Sequence, residues 1–363
     1  MRSFWMGGAF LAALLPLALQ AADALGLAPG AVELKSANVL TFGPKGILFV
    51  GDAKAARIYA LQTPAAEGDA NAVRHEILDV GSKIAAQLGV EKVTVSDIAV
   101  NPENGHLFAS VETPAGVRLV HLDGSGAIVP VELANIAHSK IDLPDAPVDA
   151  VVGEGRRARN NRMSSITDLR WIEGQLLVSG MRNNEVASAV RSFAFPFNEK
   201  VESSGLEIYH GAHGQWESLS PVRTFVPFMI NGEPNVLAGF VCTPLVRFPV
   251  SAVGSTRQIR GTTVAELGNR NQPLAMIAYE KGGASYLLLA NSARGVMKVS
   301  TQNIGRDDGI ESPVGGGGTA GQQFETLADW AGTVNLDRLN TLHAVALVAH
   351  ENGQIDLKTM ELP

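Results

Sequence analysis

His210 and His213 stand three residues apart in the segment His210-Gly-Ala-His-Gly-Gln-Trp-Glu217, with the Glu217 carboxylate close behind. Two neutral imidazoles and a carboxylate suit a divalent ion such as Zn²⁺, Cu²⁺ or Fe²⁺. His210 and His213 are therefore the candidate metal ligands, and a divalent metal is the one cofactor the residues suggest. The H-E-x-x-H spacing is absent, so a third ligand has to come from elsewhere. The competing use of these histidines is to cap loop backbone groups, with the glycines supplying positive φ. The single cysteine, Cys242, offers a soft metal ligand or a redox thiol. The commoner role of such a residue at a strand end is a small buried apolar group. With no second cysteine, an intrachain disulfide and any Cys-rich zinc or iron–sulfur site are excluded.

A second set suits an anion. Arg182-Asn183-Asn184-Glu185, Gly268-Asn269-Arg270-Asn271-Gln272 and Asn291-Ser-Ala-Arg294-Gly295 combine arginine with asparagine. Arginine binds carboxylate or phosphate bidentately, and asparagine both donates and accepts. The same residues also serve to hold long connections by backbone hydrogen bonds. The four arginines of Arg156-Arg-Ala-Arg-Asn-Asn-Arg162 read as a solvated run. A third set is acidic. Asp97 and Asp168 fall at matching places in Val95-Ser-Asp-Ile-Ala-Val100 and Ser165-Ile-Thr-Asp-Leu-Arg-Trp171. Two facing carboxylates need cations, so Arg170 or Arg223 is expected to neutralise them in a structural network. No G-x-S-x-G elbow, P-loop or C-x-x-C-H haem motif occurs.

The elements that must position these groups repeat along the chain. Short apolar runs start at residues 47, 106, 175, 235, 285 and 343, each followed by a polar turn and a second apolar run. A shorter strand precedes most pairs: Val39-Leu-Thr-Phe42, the two Asp-bearing segments, Val222–Val226 and Leu274–Ala278. The sixth is expected in distorted form within Glu325–Leu339, and Gly305–Gln323 reads as a flexible loop. Runs bounded by turn residues are strands, and self-similarity at this period means a propeller or solenoid. Continuous apolar runs, rather than alternating ones, require burial on both faces, which a blade between two blades provides. The fold class expected is all-β, a six-bladed propeller of four-stranded antiparallel blades over residues 22–363.

The phrase Phe42-Gly-Pro-Lys-Gly-Ile-Leu-Phe-Val-Gly-Asp52 with Arg57-Ile-Tyr59 resembles the blades of NHL-repeat, gluconolactonase-like and soluble quinoprotein propellers. The resemblance covers blade cores and implies a fold. In gluconolactonase-like propellers channel carboxylates and amides hold a divalent ion, and that ligand set is not reproduced here. With each blade passing from its outer strand to the inner strand of the next, the b–c loops and the crossings share one face. That face is expected to gather Arg182, Asn183, Asn184, Glu185, His210, His213, Glu217, Asn269, Arg270, Asn271, Asn291 and Arg294, with Asp97, Asp168, Arg170 and Arg223 lining the channel.

Composition narrows the partners. A net charge of −7 over 363 residues argues against nucleic-acid binding. Arg2, the uncharged run Phe4–Leu19 and the small residues Ala21, Ala22 and Ala24 form the pattern of a secretory signal peptide, residues 1–21. The run is too short to span a bilayer, so the expected product is a soluble, exported (periplasmic or secreted) monomer without a membrane span. Its expected role is to bind an anionic small molecule or a partner protein on the rim. The alternative is a metal- or quinone-dependent propeller enzyme, a lactonase-like hydrolase or an oxidoreductase.

Overall fold

The computed structural model describes residues 25–64, 68–155, 158–183 and 186–363. The expected leader, residues 1–21, lies outside them. Six antiparallel sheets stand in a ring as a six-bladed β-propeller. Blades are numbered here by the chain order of their inner strands: Val39–Phe42, Thr94–Val100, Asp168–Ile172, Val222–Ile230, Pro273–Lys281 and Thr333–Arg338. The second strands are Ile47–Asp52, Leu107–Thr113, Gln175–Met181, Glu233–Phe240, Ala284–Asn291 and His343–Ala349. Every residue of Ile47–Asp52 is buried, as its uninterrupted apolar pattern requires.

The hairpins joining inner to second strands are tight because their turn residues accept positive φ. Glu173-Gly174, Asn231-Gly232 and Gly282-Gly283 each hold both central residues there, at 46° and 84°, 52° and 81°, and 62° and 78°. Such turns match the twist of the strands they join.

The outer strands depart from simple repetition. Blades 2 to 5 take theirs from the next segment of chain: Ile128–Pro130, Val201–His210, Thr262–Leu267 and Phe324–Leu327. Blade 1 takes Ile136–Asp142, antiparallel to Arg57–Gln62. Blade 6 takes Glu76–Ile77, antiparallel to Ile355–Glu361. The chain thus leaves blade 1 after its three inner strands, with Ala28–Gly30 already made but able to pair only on Ile136–Asp142, and lays the edge of blade 6. It then runs the helix Val80–Leu88, builds blade 2 and returns to finish blade 1.

The apolar seams fix the resulting order. Phe49 and Ile58 of blade 1 pack with Leu169 and Phe193 of blade 3. Leu177 of blade 3 meets Phe225 of blade 4, Leu237 of blade 4 meets Met276 of blade 5, and Leu288 of blade 5 meets Ala346 of blade 6. Blade 6 then packs Val345 on Ile98 and Leu107 of blade 2, and blade 2 packs Phe108 on Leu40 and Val50 of blade 1. Around the axis the blades run 1-3-4-5-6-2. The expectation that each blade neighbours the next in sequence fails for the first two, because remote outer strands pull blade 2 between blades 6 and 1.

Two local expectations change as well. Gly305–Gln323 is a folded flap: Thr319–Gly321 adds a fifth strand to blade 4, Ile310 N donates to Thr263 O and Val314 N to Gly211 O, both at 2.8 Å. In Glu325–Leu339, the inner strand of blade 6 is only Thr333–Arg338, and Phe324–Leu327 is the outer edge of blade 5. Among the described residues no helix is long and apolar enough to cross a membrane.

Candidate functional site

The outer strand of blade 3, Val201–His210, ends on the same rim as the start of each inner strand, so His210 emerges where blade 3 meets blade 4. Behind it the chain turns through Gly214 (φ 66°) into Gln215–Glu217, which pairs back on Tyr209 and His210. That hairpin brings Glu217 under both histidines. Its Oε2 lies 2.9 Å from His210 Nδ1 and its Oε1 2.6 Å from His213 Nδ1, and Gln215 Nε2 donates to Oε1 at 3.1 Å. Burial pushes Glu217 up, but the contacts from His210, Gln215 and His213 outweigh it and hold the carboxyl below its usual range. His210 is lowered, first by burial, so its neutral form prevails. An ionised carboxylate facing Nδ1 selects the Nδ1–H tautomer and leaves the lone pair on Nε2. His210 Nε2 is buried and has no hydrogen-bond partner among the described residues.

Cys242 comes to the same point from blade 4. It sits between the second and third strands in a turn where Cys242 and Thr243 both have positive φ, 64° and 63°. One ligand atom from each of His210, His213 and Cys242 lies within 4.8 Å of the others. Cys242 N in turn donates to Asn271 O at 2.9 Å, tying this turn to the crossing between blades 4 and 5. Glu266, on the outer strand of blade 4, lies beneath the histidine loop and accepts from Gly211 N. Burial pushes its carboxyl up to about 7, and its Oε2 is buried without a partner.

The arginine–asparagine set divides. Asn271 and Asn291 are buried and bonded to each other at 3.0 Å; Asn271 Oδ1 accepts from Ala293 N, and Asn291 Nδ2 donates to Leu289 O and Gly295 O. These two brace the loops. Arg182 is turned inward, donating from Nε to Val186 O at 2.8 Å. Asn183 N bonds Asp145 O, and Asn184 and Glu185, like Arg156 and Arg157, lie outside the described residues. Arg270 and Arg294 stand differently. Arg270 is exposed, and Arg294 reaches over Gly268 to donate from Nη2 to Asn269 O at 3.2 Å. Among the described residues no carboxylate pairs with either.

The channel is a cavity of about 290 Å³ lined from all six inner strands. Asp168 pairs with Arg170 at 2.8 Å and accepts from Thr224 Oγ1 and Phe225 N. Among the described residues Arg223 pairs with no carboxylate. The Gln272 amide, with its oxygen toward the guanidinium, accepts from Arg223 Nε and Nη2 at 2.8 and 2.7 Å. Asp97 accepts from Leu40 N at 2.7 Å and Asn335 Nδ2 at 2.8 Å. Asp337, which sequence reasoning missed, accepts from Val100 N at 2.8 Å. Each carboxylate therefore bonds a backbone N–H of the neighbouring blade: 6 to 2, 2 to 1 and 3 to 4. Their oxygens are engaged by donors, which does not fit the channel ion of gluconolactonase-like propellers. Asp337 was hidden because both strands carry the same bulge, between Val95 and Asp97 and between Thr333 and Asn335, so that Asn335 fills the place of Asp97 and Asp337 falls two residues further along.

No family model matches the chain, and no curated protein does. Among solved structures it is similar to Raptor of Chaetomium thermophilum, at 13% identity and a TM-score of 0.36 over 93% of this chain and 25% of that one. It is also similar to the plexin A4 extracellular region, at 9% identity and a TM-score of 0.42 over 92% and 40%. A third is the β-propeller domain of Cps50 (Swd1) of Myceliophteria thermophila, at 10% identity and a TM-score of 0.36 over 93% and 90%. The chain spans a quarter of the first and two fifths of the second. The NHL-repeat, gluconolactonase-like and quinoprotein types are not among these three. The propeller assignment rests on the six sheets themselves.

Proposed function

We propose that this chain is an exported, monomeric binding propeller that receives the anionic group of a small molecule or partner protein on the rim of blades 4 and 5. One observation carries the reading: Arg270 and Arg294 lie on two neighbouring loops braced by the Asn271–Asn291 bond, with no carboxylate paired to either among the described residues. A guanidinium held in place at a surface and left without a carboxylate is suited to an oxyanion supplied from outside. The leader pattern of residues 1–21 supports export. Citrate serves as a probe of the anion site. The thermal midpoint of the wild-type protein should rise with citrate concentration at constant ionic strength, and the rise should vanish in the Arg270→Gln/Arg294→Gln double variant. Equal rises in both proteins would remove the rim from consideration.

A further inference from the structure

We propose that His210, His213 and Cys242 form a binding site for one zinc or copper ion, held by two imidazole Nε2 atoms and a thiolate, with Glu217 as the residue that orients both rings. The site adjoins the arginine pair but does not depend on it. Three observations converge. One possible ligand atom from each of the three residues, a ring nitrogen from each histidine and the Cys242 sulfur, already lies within 4.8 Å of the others, although Cys242 comes from another blade and stands 29 and 32 residues beyond the histidines. Glu217 bonds Nδ1 of both histidines, the arrangement in which a carboxylate fixes the tautomer and aims the opposite nitrogen at a metal. And His210, with a side chain only 1% exposed, keeps Nε2 buried with no partner. A buried imidazole nitrogen without a hydrogen bond is costly unless something else occupies it.

The donor set narrows the ion. Imidazole and thiolate exclude calcium and magnesium, which take oxygen ligands. Among first-row ions they favour copper and zinc. Binding takes the Cys242 thiol to the thiolate and releases one proton to solvent. His213 is half exposed, its side chain 48% accessible, so the ion would keep an open side toward solvent. Three protein ligands and a free position are what zinc sites with exchangeable water or substrate use, whereas a purely structural zinc is closed by four. Glu266 below the loop holds Gly211 N and so fixes the turn that follows His210.

Cobalt(II) is the probe that reads both geometry and sulfur ligation. The reduced, chelator-treated full chain should bind one equivalent of Co²⁺, giving tetrahedral d–d bands and a sulfur-to-metal charge-transfer band that Zn²⁺ displaces. Cys242→Ser should lose the charge-transfer band. Glu217→Gln should weaken metal binding about 10–100-fold while retaining the same spectrum at saturation. His213→Ala, on an exposed side chain, tests the nitrogen donor without risk to the core and should also weaken binding, with an unchanged circular dichroism spectrum. The Arg270→Gln/Arg294→Gln variant should bind Co²⁺ like the wild type, so loss of the anion site leaves this result in place. Absence of a charge-transfer band in the wild type, its survival in Cys242→Ser, or unweakened binding in His213→Ala would overturn the assignment.

Discussion

The carboxyl of Asp97 is the clearest case of a single group whose environment conflicts with its charge. Burial pushes it up to about 7, although Asn335 Nδ2 and Leu40 N both pull it down. A carboxyl that holds its proton more tightly folded than unfolded makes the folded state lose stability as pH rises from about 4, its ordinary value, to about 7. Asp168 and Asp337 are also raised by burial and add in the same direction. The histidines lowered by burial work in the opposite sense, so the difference is the test: between pH 5 and pH 8 the urea midpoint of the wild type should fall relative to that of Asp97→Asn. An equal slope in the two would show that Asp97 is ionised throughout. Residue by residue, the sequence marked Asp97, Asp168 and Arg170 because two blades happened to align. It could not show that the acceptors' partners are backbone N–H groups, since no side-chain pattern records which amide a neighbouring blade presents. The pairing of His210 and His213 with Glu217 was legible from spacing. Cys242 joining them was not, because it depends on the packing of blade 3 against blade 4.

At the scale of elements, the crossing between blades 4 and 5 is set by one glycine. Gly268 has φ of 100°, and a Cβ there would collide with the Arg294 guanidinium. Gly268→Ala should therefore cost about 1–3 kcal/mol of unfolding free energy through backbone strain. It should also displace Arg294 and weaken the citrate response. Retention of the full citrate response in that variant would mean that Arg294 has another place to stand. The second strands were readable to within a few residues, because burial on both faces leaves a largely apolar run. The outer strands were not. Ile136–Asp142, for example, has only Ile136 buried and carries His138, Lys140 and Asp142, a pattern shared with ordinary loops. The flap over residues 305–323 was similarly obscured by its glycines, although its order comes from backbone bonds to Thr263 and Gly211 that no composition encodes.

For the whole molecule, the decisive property is the 1-3-4-5-6-2 order. It could not be read from a repeat, since self-similarity gives the number of copies and not their neighbours. It makes a specific prediction about coupling. Replacing Glu76 and Ile77 with glycines should speed amide hydrogen exchange in Ile355–Glu361 of blade 6, some 280 positions away, before it affects Arg57–Gln62 just upstream. Faster exchange confined to blade 1 would contradict the order.

The borrowed edge strands also carry a consequence for how the polypeptide comes into being. Glu76–Ile77 is made early but finds its partner only when Ile355–Glu361 exists, and blade 1 waits for Ile136–Asp142. A nascent or threading chain therefore holds that strand edge unsatisfied until some 280 further residues have followed it, and ring closure waits for them. Any machinery that moves this polypeptide in extended form would gain a natural delay before it locks shut.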